Sequence, residues 1–244
     1  MILPPLSLAL LVAASGGDLP SLLEKADAAY AVRDEAGRVE ELTAALDEAE
    51  KLAPDDFEVL WRRARLLVWI SDDPWLPNDE KSRVGRQAWD YGDRAAAANP
   101  DRVEGHYFAA IGTGNYSLGI GVLKALAKGI EGKFKERLSR AEAVEPGYQG
   151  GGIQTAWGRL YYKLPWPKYD GKKSEAHYRR ALEMNPANVR ARVYLAELHE
   201  KEDRPEKARA ELEAAAAAEP GAYDGPEERR YQKLAREMIA RTDK

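Results

Sequence analysis

Five prolines constrain this chain more than any other feature. The stretches KLAPDD, AANPDR, AVEPGY, EMNPAN and AAEPGA place Pro54, Pro100, Pro146, Pro186 and Pro220, at intervals of 46, 46, 40 and 34 residues. Each follows an Ala- and Glu-rich stretch with helical spacing and precedes another helical run. Proline has no backbone N–H and its ring clashes with the preceding turn, so it ends a helix and cannot continue one. Helices cut at near-regular intervals form helix pairs, and pairs repeated along a chain must stack to bury their apolar faces. The expected fold is therefore all-α.

The last interval carries the residues of a known repeat. Leu195, Ala196, Ala208, Leu212 and Ala215 stand at its packing points and Pro220 ends it; small residues there let two antiparallel helices approach closely. Tyr178, Ala181 and Pro186 repeat the second-helix pattern, as do Ala88, Ala95 and Pro100, and Leu42, Leu46, Ala49 and Pro54. Over nearly all of its folded length the chain resembles the tetratricopeptide-repeat (TPR) family. The resemblance implies an α-solenoid of stacked antiparallel helix pairs with inter-helix insertions and a C-terminal capping helix. The repeat domain is placed at residues 18–225. The cap, at 226–244, opens on Pro226 and carries one apolar stripe of Tyr231, Leu234, Ala235, Met238 and Ile239.

Relative to the 34-residue unit, two intervals carry twelve extra residues and one carries six. The extras fall between the helices of a unit, near 71–81, 112–129 and 163–171, and such insertions emerge together on one side of a solenoid. The middle one, GTGNYSLGIGVLKALAKG, is glycine-rich. Gly114 and Gly119 have the spacing of a phosphate loop, but Ile120 stands where Lys is required, and no strand precedes them. The segment reads instead as a short extra helix over the array, or an amphipathic one on a surface. Its glycines imply close backbone approach, a bend or movement.

Counting forward from each proline aligns the first helices of the units. Seven, eleven, fourteen and fifteen residues on, this gives Trp61, Arg65, Val68 and Trp69 in the first; Tyr107, Ile111, Gly114 and Asn115 in the second; Ile153, Trp157, Leu160 and Tyr161 in the third. In the fourth the later positions become charged. The resemblance places these helices on a concave face, so the candidate groove comprises Trp61, Arg65, Trp69, Tyr107, Ile111, Asn115, Trp157, Arg159 and Tyr161, with Arg65 and Arg159 as groups for an anion. Three readings stay open: packed core, a pocket for a small apolar or amphipathic ligand, and a trough for a partner helix.

From GYQGGGIQTAWGRLYYKLPWP through KSEAHYRRALEMNPANVRARVYLAEL the chain also resembles the T-component proteins of TRAP transporters. That resemblance implies a periplasmic accessory acting with a transporter substrate-binding subunit and no catalysis; this chain lacks a lipid-accepting Cys. Residues 1–17 contain an apolar run, 2–14, too short to span a bilayer. It is expected to be either an export signal, giving a periplasmic or secreted protein, or an apolar segment docked on the first helices, with a cytoplasmic location as the alternative.

The remaining classes narrow quickly. A formal net charge of −4 argues against general nucleic-acid binding. The absence of cysteine removes disulfides and thiolate chemistry. His106 and His199 read as packing positions and His177 as solvated; none has metal spacing, and no nucleophile elbow is present. No catalytic residue, metal or cofactor is expected. Self-association is left open.

Overall fold

The computed structural model describes residues 17–221 and 223–242; the apolar run at 2–14 lies outside them. Among the described residues there are twelve helices and no strands: α1 Leu19–Ala31, α2 Arg38–Leu52, α3 Phe57–Ser71, α4 Asn78–Ala98, α5 Val103–Ile120, α6 Val122–Ala127, α7 Ile130–Val144, α8 Tyr148–Lys163, α9 Gly171–Met184, α10 Val189–Lys201, α11 Pro205–Ala217 and α12 Gly225–Thr242. Pro54, Pro100, Pro146, Pro186 and Pro220 each lie in the turn after a helix, and the following helix starts within a few residues. Side-chain caps fix several starts by satisfying free N–H groups. Asp56 accepts from the Glu58 amide at 2.8 Å, Asp170 from Lys173 at 3.0 Å and Asn188 from Ala191 at 2.8 Å.

The pairs α1/α2, α3/α4, α5/α7, α8/α9 and α10/α11 stack in chain order, forming an α-solenoid with α12 as its cap. The repeat alanines do what the pattern requires: Ala49, Ala88, Ala95, Ala181, Ala208 and Ala215 are all buried between helices. One core spans α3, α4, α5, α7 and α8; a second spans α9 to α12.

The insertions do sit between the helices of their units, but the middle one is divided. Residues 112–120 extend α5, and only 122–127 form the extra helix. The short extra helix expected of this stretch is broken at Gly121, whose φ of +89° and ψ of 132° suit glycine alone. The glycines of the stretch serve close approach. A Cβ on Gly112 would lie 2.4 Å from the Trp89 backbone nitrogen, and one on Gly119 would lie 2.5 Å from that of Ser82. Gly105, Gly112 and Gly119 recur every seven residues on α5, facing α4, which answers with Gly85 and Gly92. A glycine seam thus lets the two helices touch backbone to backbone.

The cap reaches further than the last repeat. Just before α12, Asp224 accepts two hydrogen bonds from Arg33, at 2.6 and 2.7 Å. Within α12, Arg229 pairs with Asp34, Arg230 donates to the Trp69 carbonyl at 2.8 Å, and Tyr231 donates to Asp72 at 3.1 Å. The C-terminal helix therefore joins the two ends of the array.

Candidate functional site

The stripe Tyr107, Ile111, Gly114 and Leu118 on α5 follows i, i+4, i+7 and i+11 spacing, which places all four on one helix face. That face looks into a cavity of about 110 Å³. The opposite wall is Ala156, Leu160 and Leu164 of α8 and the loop after it. Phe134 of α7 closes one side, and α6 lies across it with Val122, Ala125 and Leu126 turned inward. The left-handed Gly121 and Gly129 bracket α6 and let it fold back over the chamber.

The cavity turns polar where α8 and α10 meet the end of α3. There Arg159, Lys163, Arg190, Tyr194 and Asp72 contribute to the lining. Two of the cations are neutralised in place. Arg159 pairs with Glu197 and lies 3.9 Å above the Tyr194 ring. Burial opposes its charge most strongly, but Glu197 together with Tyr194 and Tyr178 outweighs it and holds the pKa well above the ordinary arginine value. Arg190 pairs with Asp72 at 3.1 Å and Glu227 at 3.4 Å.

Lys163 differs. Half-buried, it makes no ion pair or hydrogen bond among the described residues. Its pKa is drawn down to about 8, first by burial and then by the positive charge of Arg159; the Glu197 carboxylate opposes the shift in part, and Lys201 and Lys81 add to it. An apolar chamber whose polar end carries an ammonium with no direct ion pair among the described residues suits an apolar group carrying an anion.

The nine groove candidates divide between this cavity and other places. Tyr107, Ile111, Asn115 and Arg159 line it, and Asn115 also donates to Ser71 Oγ at 3.0 Å. Trp61 is stacked on Phe108 and donates to Glu58 at 2.7 Å, inside the first core. Arg65 is held by Asp27 at 2.5 Å and lies over the Tyr30 ring. Trp69 sits between the guanidinium groups of Arg33 and Arg230, at 4.3 and 3.1 Å from its ring, so α12 covers the face it occupies. Trp157 and Tyr161 stack with His177, and Trp157 donates to Glu142 at 2.9 Å.

The proline count groups positions by helix face, but the twist of the solenoid turns each face relative to the next. His177, expected in water, is half-buried: its ring lies in that stack and Nδ1 meets Gln154 Oε1 at 2.8 Å, so burial lowers its pKa. His106 is half-buried too and reaches the Pro100 carbonyl at 2.9 Å, while His199 is fully buried as a packing residue.

The count from the prolines does not reach Lys163, Val122, Leu126, Phe134, Arg190 or Tyr194, all of which line the cavity. The α5 stripe was legible by period; the residues closing the cavity come from four other elements. Among the described residues, no group of His, Asp or Glu could hold a metal ion, and no helix is long and apolar enough to cross a membrane.

Solved structures match this arrangement. A thermophilic TPR protein of Thermus thermophilus superposes with a TM-score of 0.67 at 21% identity, covering 89% of this chain and 98% of that one. MamA from Desulfovibrio magneticus RS-1, from residue 41 to its end, gives 0.50 at 15% identity, covering 82% and 94%. Identities this low establish the fold alone. No curated protein matches the chain. A tetratricopeptide-repeat family model matches residues 170–236, the unit in which the repeat pattern is clearest. The family model described as "Regulator of microtubule dynamics protein 1-3" matches residues 22–164, more than half of the chain and most of the cavity wall, and the protein belongs to that family.

Proposed function

We propose that the protein is a non-catalytic scaffold that binds a segment of a protein partner, with the α5–α6–α8 cavity receiving one apolar anchor side chain and Lys163 meeting an acidic group beside it. The unpaired Lys163 at the end of an apolar chamber carries this reading. Size favours a peptide anchor over a whole helix: about 110 Å³ accepts a single large side chain, whereas ligand pockets run to several hundred Å³. The repeat architecture supports a protein or peptide partner.

The test is a peptide-array screen against the whole protein. Peptides pairing a Leu, Ile or Phe with a nearby Asp or Glu should be selected. Leu160→Trp, which fills the chamber, should abolish their binding while the thermal melt stays close to wild type. Selection without an apolar–acidic pattern, or binding untouched by Leu160→Trp, removes the proposal.

A second reading rests on the same ammonium: a small amphipathic anion with its tail in the chamber. Gentle purification and native mass spectrometry test it by asking for a co-purifying ligand. Delivery of such a ligand alongside a transporter substrate-binding subunit is its narrower form. Export is proposed on the sequence of residues 1–17, and N-terminal sequencing of the mature protein tests it.

A further inference from the structure

The two most exposed large apolar side chains of the described residues are Trp166, at 88%, and Leu123, at 72%. Both come from the segments that close the cavity. Leu123 is on the outer face of α6, whose inner face lines the chamber through Val122, Ala125 and Leu126. Trp166 follows the cavity residue Leu164 by two positions, in the α8–α9 loop. The two segments meet through Glu131, which accepts from Lys135 at 2.6 Å and also from Lys168. Pro165 and Pro167 flank Trp166 and stiffen the backbone that carries it.

Charge is concentrated in the same place. Residues 121–137 hold five Lys or Arg against two Asp or Glu, and residues 163–173 hold four against one, in a chain of net charge −4. Lys124, Lys128 and Lys172 are exposed and form no ion pair among the described residues.

We propose that these two segments dock the protein on an anionic lipid surface, with Trp166 and Leu123 entering the headgroup region and the unpaired lysines meeting the lipid charge. Tryptophan is favoured at that boundary because its ring is apolar and its N–H polar. Two projecting apolar tips among unpaired lysines suit a soft, negatively charged surface; a shaped protein partner would leave a groove for its side chains, and the exposed tips form none. This docking does not depend on the peptide reading, since it uses the outer face of α6 and that reading uses the inner one.

Cosedimentation of the whole protein with vesicles tests the proposal. Equal parts phosphatidylserine and phosphatidylcholine should retain the protein at low salt and release it at high salt, while phosphatidylcholine alone should not retain it. The double variant Leu123→Ser/Trp166→Ser should lose most of the partition. Lys124→Gln and Lys128→Gln should each lower it about fivefold, the effect of one surface lysine. Leu52→Ser, exposed at the far end of α2, should change nothing. All these side chains face water, so unchanged thermal melts are expected throughout. No retention by anionic vesicles, or retention that survives the double variant and so belongs to another part of the chain such as the apolar run at 2–14, overturns it. Loss of vesicle binding with peptide binding intact separates this proposal from the preceding one.

Discussion

Tyr231, in the last helix, donates a hydrogen bond of 3.1 Å to Asp72, at the end of α3 and 159 residues earlier. The same carboxylate oxygen receives Arg190 at 3.1 Å, and the Tyr231 hydroxyl also meets that of Tyr194 at 2.8 Å. Asp72 thereby ties α3, α10 and α12 together beside the polar end of the cavity. Burial and the Asp72 charge keep the Tyr231 phenol protonated, with its pKa well above the ordinary tyrosine value, so it remains a donor.

Removing this hub should loosen the ring closure. Asp72→Ala leaves the buried Arg190 with only Glu227 as its ion pair and should cost on the order of 3 kcal/mol in urea unfolding. Hydrogen exchange should show the loss of protection concentrated in α12. A uniform loss across the repeats would mean that the closure is not a separable contact.

The glycine seam predicts opposite outcomes for two glycines. Gly112→Val puts a side chain against the Trp89 backbone, which cannot move as a flexible side chain could, and should cost about 3 kcal/mol. Gly132, inside α7, has no neighbour within 4 Å of an added Cβ. Gly132→Ala should stabilise the protein by about 0.5–1 kcal/mol, since Ala is the better helix former. Thermal melts of both variants make the comparison.

The fold-back of α6 depends on Gly121. Its φ of +89° with ψ of 132° belongs to a region that side-chain-bearing residues avoid, so Gly121→Ala should cost about 1–3 kcal/mol. The strain should be relieved by α6 lifting off the chamber, seen as faster hydrogen exchange in 122–127 than elsewhere.

Binding of an anionic group at Lys163 should depend on pH in a stated direction. With its pKa lowered to about 8, the ammonium is charged below that value and neutral above it. Affinity should therefore fall as pH rises through about 8. Arg159 stays charged and paired with Glu197 throughout, so it cannot mask the change. Lys163→Gln should weaken binding at neutral pH and flatten the profile; a profile unchanged by that substitution would place the anion elsewhere.

Local chemistry settled the helices of this protein. Prolines end them, capping carboxylates start them, and alanines at repeat positions set how closely partners approach; each acts within a few residues, so the repeat and even the α5 face of the cavity were readable from spacing. What Arg159 and Lys163 do was not. They stand four apart on one helix, alike in sequence, yet one pairs directly with Glu197 and the other forms no ion pair among the described residues. Likewise Trp69, a groove candidate by phase, is covered by Arg230 from the opposite end of the chain. Those outcomes depend on the rotation accumulated from unit to unit, which decides which distant side chains converge, and no short stretch of sequence encodes that sum.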